Sequence, residues 1–396
     1  MKRIVYADSA STTKMSENVL RGMTPFLIEN YANPSSIYRN GREARKALEQ
    51  SREKIAKILG ASAGEIFFTS GGSEADNWAI RGVCNRLKKE GKNHIISSAF
   101  EHHAVLHTLQ AMEKEGFSVT YLDVYRDGII KIKDLERAIT KSTALVTIMY
   151  SNNEIGTIQP IEEIGEVCRE NGVIFHTDAV GALSSVKFNL KEQKIDMLSA
   201  SAHKVHGPKG VGALYIKKGL KILNLIEGGA QERNRRAGTE NVAAIVGFGI
   251  ALEETQKEID QKNRRLLAMR NRLIDGIMKI EKTILNGHRV KRLPGNINVC
   301  FEGIEGESLL LRLDSEGICT SSGSACTSGS LEPSHVLLAI GLSHEIAHGS
   351  LRITFDQNNT EKDVDYILDK LPKVVDNLRS MSPIWKTQKL PIQNPF

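Results

Sequence analysis

The chain offers no segment that would carry it into or across a membrane. Its first residues, MKRIVYADSASTT, contain no apolar run of the about 7 to 15 residues a leader needs and no small-residue cleavage site. No later stretch approaches the length of a bilayer span. A cytoplasmic protein without a membrane partner is expected. Cysteine is scarce: Cys84, Cys168, Cys300, Cys319 and Cys326 are widely spaced except for the last two, and none forms a C-x-x-C pair. No bound metal is expected from such spacing, and in a reducing compartment the ordinary role of each thiol is that of a small buried hydrophobe. Internal repeats and low-complexity tracts are absent. The formal charge of +6 is modest, and residues 257–292 hold eleven Lys or Arg against four Asp or Glu. With no interleaved aromatics and no nucleic-acid motif, that segment reads as the solvated face of a helix, and no nucleic-acid partner is expected.

What is present is an alternation of short apolar strands and amphipathic helices. At 396 residues the chain is too long for one compact core. Strands are predicted at 66–69, 94–97, 119–122, 145–149, 173–176, 195–198 and 212–216, with helices at 41–59, 104–114 and 161–170 among them. This is an α/β pattern, a mostly parallel sheet covered by helices on both faces. From Glu240 the pattern is helical to Ile280, with a break expected near Gly247 to Gly249, and this long helix marks a domain boundary. Beyond it, strands at 296–301, 319–320 and 351–354 and helices at 305–315, 332–340 and 361–380 predict a smaller α+β domain. The expected division is 14–256 for the large domain, 1–13 with 257–382 for the small one, and 383–396 as an extended tail holding three prolines.

Residues 199–210, SASAHKVHGPKG, follow one of the apolar strands and place Lys204 in a restricted turn. A lysine forms a Schiff base with a carbonyl only as the free amine, so such a turn suits an active-site amine; it equally suits a solvated loop lysine. Upstream, GVIFHTDA ends a strand at His176 and Asp178. An aspartate there can keep a pyridine nitrogen protonated, or simply cap a turn. Two such residues at strand ends of one α/β chain converge, because ligands gather at the carboxyl ends of the strands. Gly71, Gly72 and Ser73 join a strand to a helix start, where free N–H groups and the helix dipole hold a phosphate or merely make a βα turn. Cys326, in SSGSACTSG, has no apolar neighbours to bury it, which leaves its thiol open to chemistry or marks a chance cysteine in a loop.

These residues stand in longer motifs: TSGGSEADN (69–77), EHHAVL (101–106), NNEIG (152–156), HTDA (176–179), SAHKVHGPKG (201–210), RRAGTEN (235–241), SSGSACTSGSLEPSHVL (321–337) and LRIT (351–354). In that order, from about Tyr6 to Trp385, the chain resembles the cysteine desulfurases of the NifS and IscS type, pyridoxal-phosphate enzymes of the aspartate aminotransferase fold. The resemblance implies that Lys204 carries the cofactor, that Asp178 meets the pyridine nitrogen and that His102 stacks on the ring. It places Asn153 beside the ring oxygen and substrate, and Gly72, Ser73, Ser201 and His203 on the phosphate, joined by Thr239 from a second subunit of a homodimer. Arg352 would hold the substrate carboxylate, Asn33 would lie near the substrate, and Cys326 would accept sulfur from L-cysteine as a persulfide. A scaffold protein for iron–sulfur clusters would be the sulfur acceptor. Selenocysteine lyase and low-activity sulfur-transfer scaffold are the alternatives on the same fold. The chain departs from the family pattern at Ser11 (for Ala), Tyr38 (for His), Ser73 (for Thr) and Gly181 (for Gln); the last removes a donor expected at the ring's phenolic oxygen, a gap that water or Ser184 would have to fill.

Overall fold

A computed structural model describes residues 3–322, 333–382 and 385. Its strands, in chain order, are β1 (Val5–Tyr6), β2 (Ile66–Thr69), β3 (His94–Ser98), β4 (Ser118–Leu122), β5 (Thr143–Thr147), β6 (Ile174–Asp178), β7 (Met197–Ser201), β8 (Gly212–Ile216), β9 (Thr283–Leu285), β10 (Asn296–Phe301), β11 (Ile318–Cys319) and β12 (Ser350–Thr354). Seven of them make one sheet in the order β2-β8-β7-β6-β5-β3-β4. Only β8 runs against its neighbours. Every residue of β2, β3, β5, β7 and β8 is buried, as strands covered on both faces must be. The predicted mostly parallel sheet is therefore present, and the carboxyl ends of β2, β3, β5, β6 and β7 open on one edge.

The helix Arg39–Leu59 stops at Gly60, whose φ of 70° is left-handed, as a terminating glycine allows. The long helix differs from expectation. It is two helices, Val242–Lys257 and Ile259–Ile277, joined at Glu258 rather than broken at Gly247 to Gly249. The glycines have another cause. A Cβ on Gly247 would sit 2.6 Å from Met23 Sδ, and one on Gly249 would sit 3.1 Å from Ser51 Cβ. They let this helix approach Glu17–Ile28 and Arg39–Leu59 closely, and the helix is correspondingly buried along most of its length.

A separate apolar core joins Val5 and Ala7 to the helices Ile259–Ile277, Gly306–Ser315 and Glu361–Met381 and to the antiparallel sheet β12-β10-β9. Val336, Leu337 and Ile340 pack instead with the larger core. The basic segment 257–292 is not a uniformly solvated face. Arg270 and Arg292 are buried, and Arg270 Nη1 donates to the carbonyls of Arg292 and Leu293 at 3.1 and 3.2 Å. Burial pushes both guanidinium pKa values down, to about 10 for Arg270 and about 9 for Arg292. No helix among the described residues is long and apolar enough to cross a membrane.

Candidate active site

The carboxyl ends of the parallel strands enclose a cleft of about 330 Å³. It is lined by Gly72, Ser73, His102, Asn153, Asp178, Ser201, His203, Lys204 and Arg352, and also by Ala10, Ser11, Asp76, Met149, Val180 and Gly181. Nine of the residues singled out in the sequence thus meet in one place. Thr239 does not: it is exposed and borders a separate hollow with Arg236 and Gly210. Asn33 is exposed and makes a turn, its Oδ1 accepting from Ser35 N at 2.8 Å. Cys326 and nearly all of the tail lie outside the described residues.

Each side chain is placed by its element. Lys204 ends a single 3-10 turn after β7, and its Nζ donates to Ser11 O at 2.8 Å and to Ala10 O. Asp178 is the last residue of β6, and its Oδ1 accepts from Val180 N at 2.8 Å. His102 caps the helix His103–Lys114, with Nδ1 accepting from Ala104 N at 3.1 Å. The helix Gly72–Leu87 begins in the wall of the cleft, where Gly72 and Ser73 line it with N–H groups that have no partner inside the helix. A Cβ on Gly72 would fall 2.6 Å from Val180 Cγ2, so only glycine leaves the backbone exposed there.

Burial governs the electrostatics. It lowers the His102 pKa to about 4, helped by the Lys204 charge, and lowers His203 to about 4 for the same two reasons. Both imidazoles are neutral near pH 7. Burial raises the Asp178 carboxyl, opposed by the Val180 N–H and by Lys204. Asp76 is raised by burial and then by Asp178; its Oδ1 is buried without a hydrogen-bond partner among the described residues. Glu101 lies just beyond, where burial pushes its carboxyl up to about 8 against hydrogen bonds from Ser98 and Met149. Burial also raises the thiols of Cys84, Cys168, Cys300 and Cys319.

The donor set fits pyridoxal phosphate. A helix N-terminus with Ser73, Ser201 and His203 supplies donors for a dianion, an imidazole offers a ring to stack on, and a buried acid and a primary amine line the same cleft. Gly181 opens the wall of this cleft, and the nearest hydroxyl is not Ser184, whose Oγ pairs with Ser185 Oγ at 3.2 Å. It is Ser151: a Cβ at position 181 would lie 3.5 Å from Ser151 Oγ, which is buried and without a partner among the described residues.

Asp76 lines the cleft but was given no role from the sequence, whereas Arg352 was expected to hold the substrate carboxylate. Arg352, 2% exposed on β12, donates from Nη2 to Asp8 Oδ1 at 2.9 Å and to Ser11 Oγ at 2.7 Å, and from Nη1 to Asn153 O at 3.3 Å. Asp76 stands one helical turn after Gly72, and that i, i+4 spacing was the available signal for it. No group of three His, Cys, Asp or Glu among the described residues could hold a metal.

The aminotransferase class-V family model matches residues 5–367. A curated relative from Clostridium botulinum, named cysteine desulfurase IscS, is 54% identical over 389 residues, covering 98% of each chain. A solved NifS-like protein superposes with a TM-score of 0.90 at 38% identity, covering 96% of this chain and all of its own. Another, described as SspA in complex with cysteine, gives a TM-score of 0.79 at 37% identity over 91% of this chain.

Proposed function

Because the chain belongs to the aminotransferase class-V family and is a cysteine desulfurase, we propose that its cleft holds pyridoxal phosphate and divides the work on L-cysteine as follows. The observation that carries this reading is the meeting of Lys204 and Asp178, from two adjacent strand ends, in one cleft with a helix N-terminus and His102. Gly72, Ser73, Ser201 and His203 hold the phosphate. His102 packs on the ring, and its neutral state keeps a second cation away from Lys204. The bound cofactor supplies an electron sink for the bond being broken at Cα. Asp178 maintains that sink by holding the pyridine proton. Lys204 would anchor the group, and its Nζ as a free amine would take the Cα proton.

Arg352 fixes the substrate carboxylate with paired donors. Cys326 then attacks the substrate sulfur: an S–S bond forms, the Cβ–S bond breaks, and protonation of the remaining carbon skeleton gives alanine. The described cysteines suit that nucleophilic role poorly, since each has its thiol pKa raised. A reduced, cytoplasmic setting keeps Cys326 competent. A scaffold for iron–sulfur clusters is the sulfur acceptor in this reading, as the family resemblance implies.

The active form is a homodimer in this reading. Leu20, Leu27, Ile28, Tyr31, Ile37 and Tyr38 are exposed large apolar residues within one short span, a surface suited to a second copy. Thr239, exposed and outside the cleft of its own chain, would complete the phosphate site of its partner.

The test is turnover of L-cysteine, with alanine measured and the persulfide mapped by mass spectrometry. Lys204→Ala should lose at least about a thousandfold in rate while keeping its circular dichroism. Persulfide on a cysteine other than Cys326, or near-normal turnover without Lys204, would overturn the assignment.

A further inference from the structure

Arg352 is already engaged before any substrate arrives. Its Nη2 donates to Asp8 Oδ1 at 2.9 Å and to Ser11 Oγ at 2.7 Å. The pair with Asp8 is buried on the arginine side, so much of the guanidinium charge is compensated from within the chain. An incoming carboxylate therefore meets a nearly neutral pair, and the hydrogen-bond donors still uncommitted decide whether it binds well. Arg352 Nε is one: it is buried and has no hydrogen-bond partner among the described residues.

Ser11 supplies another. A guanidinium has no acceptor, so in its bond to Arg352 the serine oxygen must accept. The hydroxyl proton is left to point elsewhere, and Ser11 lines the cleft. Its backbone is fixed independently, with N donating to Asp8 O at 3.0 Å and O accepting from Lys204 Nζ at 2.8 Å. Ser11 is thus tied to both side chains, its hydroxyl oxygen accepting from Arg352 and its backbone carbonyl from Lys204.

We propose that Ser11 is a specificity-determining residue that donates its hydroxyl proton to the α-carboxylate of the amino-acid substrate, beside the bonds made by Arg352. The inference rests on the reading of Arg352 as the carboxylate anchor. Asp8 holds the guanidinium in place and offsets its charge; Ser11 restores the attraction for a carboxylate in particular. A ligand with a neutral group at that position gains little from it.

The experiment measures equilibrium binding to the cofactor-loaded enzyme by calorimetry, using L-alanine and L-alaninamide, which differ only in whether the carboxyl end is charged. Ser11→Ala should weaken L-alanine about tenfold, the effect of losing one hydrogen bond to a charged acceptor, and change L-alaninamide by less than about twofold on the same scale. KM for L-cysteine should rise in parallel with kcat little changed, and Ser11→Thr should restore both. Unchanged L-alanine binding in Ser11→Ala would overturn the proposal, as would equal weakening of both ligands, which would mark a structural role. Arg352→Gln separates the underlying reading: if L-alanine binding survives that change, the carboxylate does not sit on Arg352 at all, whereas its loss with Ser11→Ala silent removes only Ser11.

Discussion

Glu101 shows how much a single residue can depend on its surroundings. It lies beside His102 in EHHAVL and occupies a fully buried site where Met149 N donates to both its oxygens at 3.0 Å and Ser98 hydroxyl donates to one. Burial holds its proton to about pH 8, against 4.5 in an unfolded chain. Between those values the unfolded state has released a proton that the folded state retains, so the contribution to stability is full below about pH 4.5 and lost as pH rises through 8. Glu101→Gln stays neutral throughout. Chemical denaturation from pH 5 to 9 should show wild type losing stability relative to the variant, by up to a few kcal/mol at ~1.4 kcal/mol per pKa unit. Parallel curves for the two proteins would mean that Glu101 is ionised in the fold. Lys204, Asp178 and Ser73 were legible because each sits where a strand ends or a helix begins, a local pattern. Ser11 is visible in the sequence only as a departure from the family pattern, because its partner Arg352 is 341 positions away and the contact exists only in three dimensions.

Glycines inside helices were the least legible elements, since the same residue breaks one helix and seats another. Gly247 and Gly249 suggested a break from local propensity, but close approach of neighbouring helices explains them and the chain breaks at Glu258 instead. Short elements escaped for a different reason: β9 is three half-buried residues and the helix His344–His348 five, too few to display a period. Gly165, inside the helix Ile161–Glu170, gives a clean test of packing against propensity. Alanine in a helix interior gains about 0.5 to 1 kcal/mol over glycine. Here its Cβ would fall 2.4 Å from Gln193 O, a backbone atom that cannot turn aside, and 3.1 Å from Lys194 Cβ. Overpacking costs about 1 to 3 kcal/mol, so Gly165→Ala should be net destabilising by about 1 to 2 kcal/mol. Gly247→Ala should cost less, because the nearest obstacle, Met23 Sδ, is on a flexible side chain. Urea unfolding of both variants decides it, and a more stable Gly165→Ala protein would show that the segment carrying Gln193 yields.

At the scale of the molecule, the sheet and the cleft follow from strand and helix alternation, which is why the α/β class and Gly72, Ser73, Asp178 and Lys204 are readable from the residues, while His102, Asn153, Ser201, His203 and Arg352 come only with the family resemblance. A second chain leaves no such pattern. Thr239 sits in RRAGTEN, a segment whose own anchor is Arg236 paired through two bonds with Glu74, at 2.8 and 3.0 Å. Glu74 belongs to the first turn of the helix whose N-terminus faces the cleft, so the segment is tied to the cofactor end of the molecule but stands outside its own chain's site. If Thr239 acts across a dimer, each site combines Lys204 of one protomer with Thr239 of the other. Mixing Lys204→Ala with Thr239→Ala protein then yields heterodimers in which one site carries both substitutions and the other carries neither. Refolded or co-expressed mixtures should recover about half the wild-type rate per heterodimer, with one site of normal kcat and KM. If Thr239 served its own chain, one site would lack Lys204 and the other Thr239, and no site with wild-type constants would appear. The outcome is read from KM as well as rate, since a single intact site keeps the wild-type KM while a site lacking a phosphate contact does not.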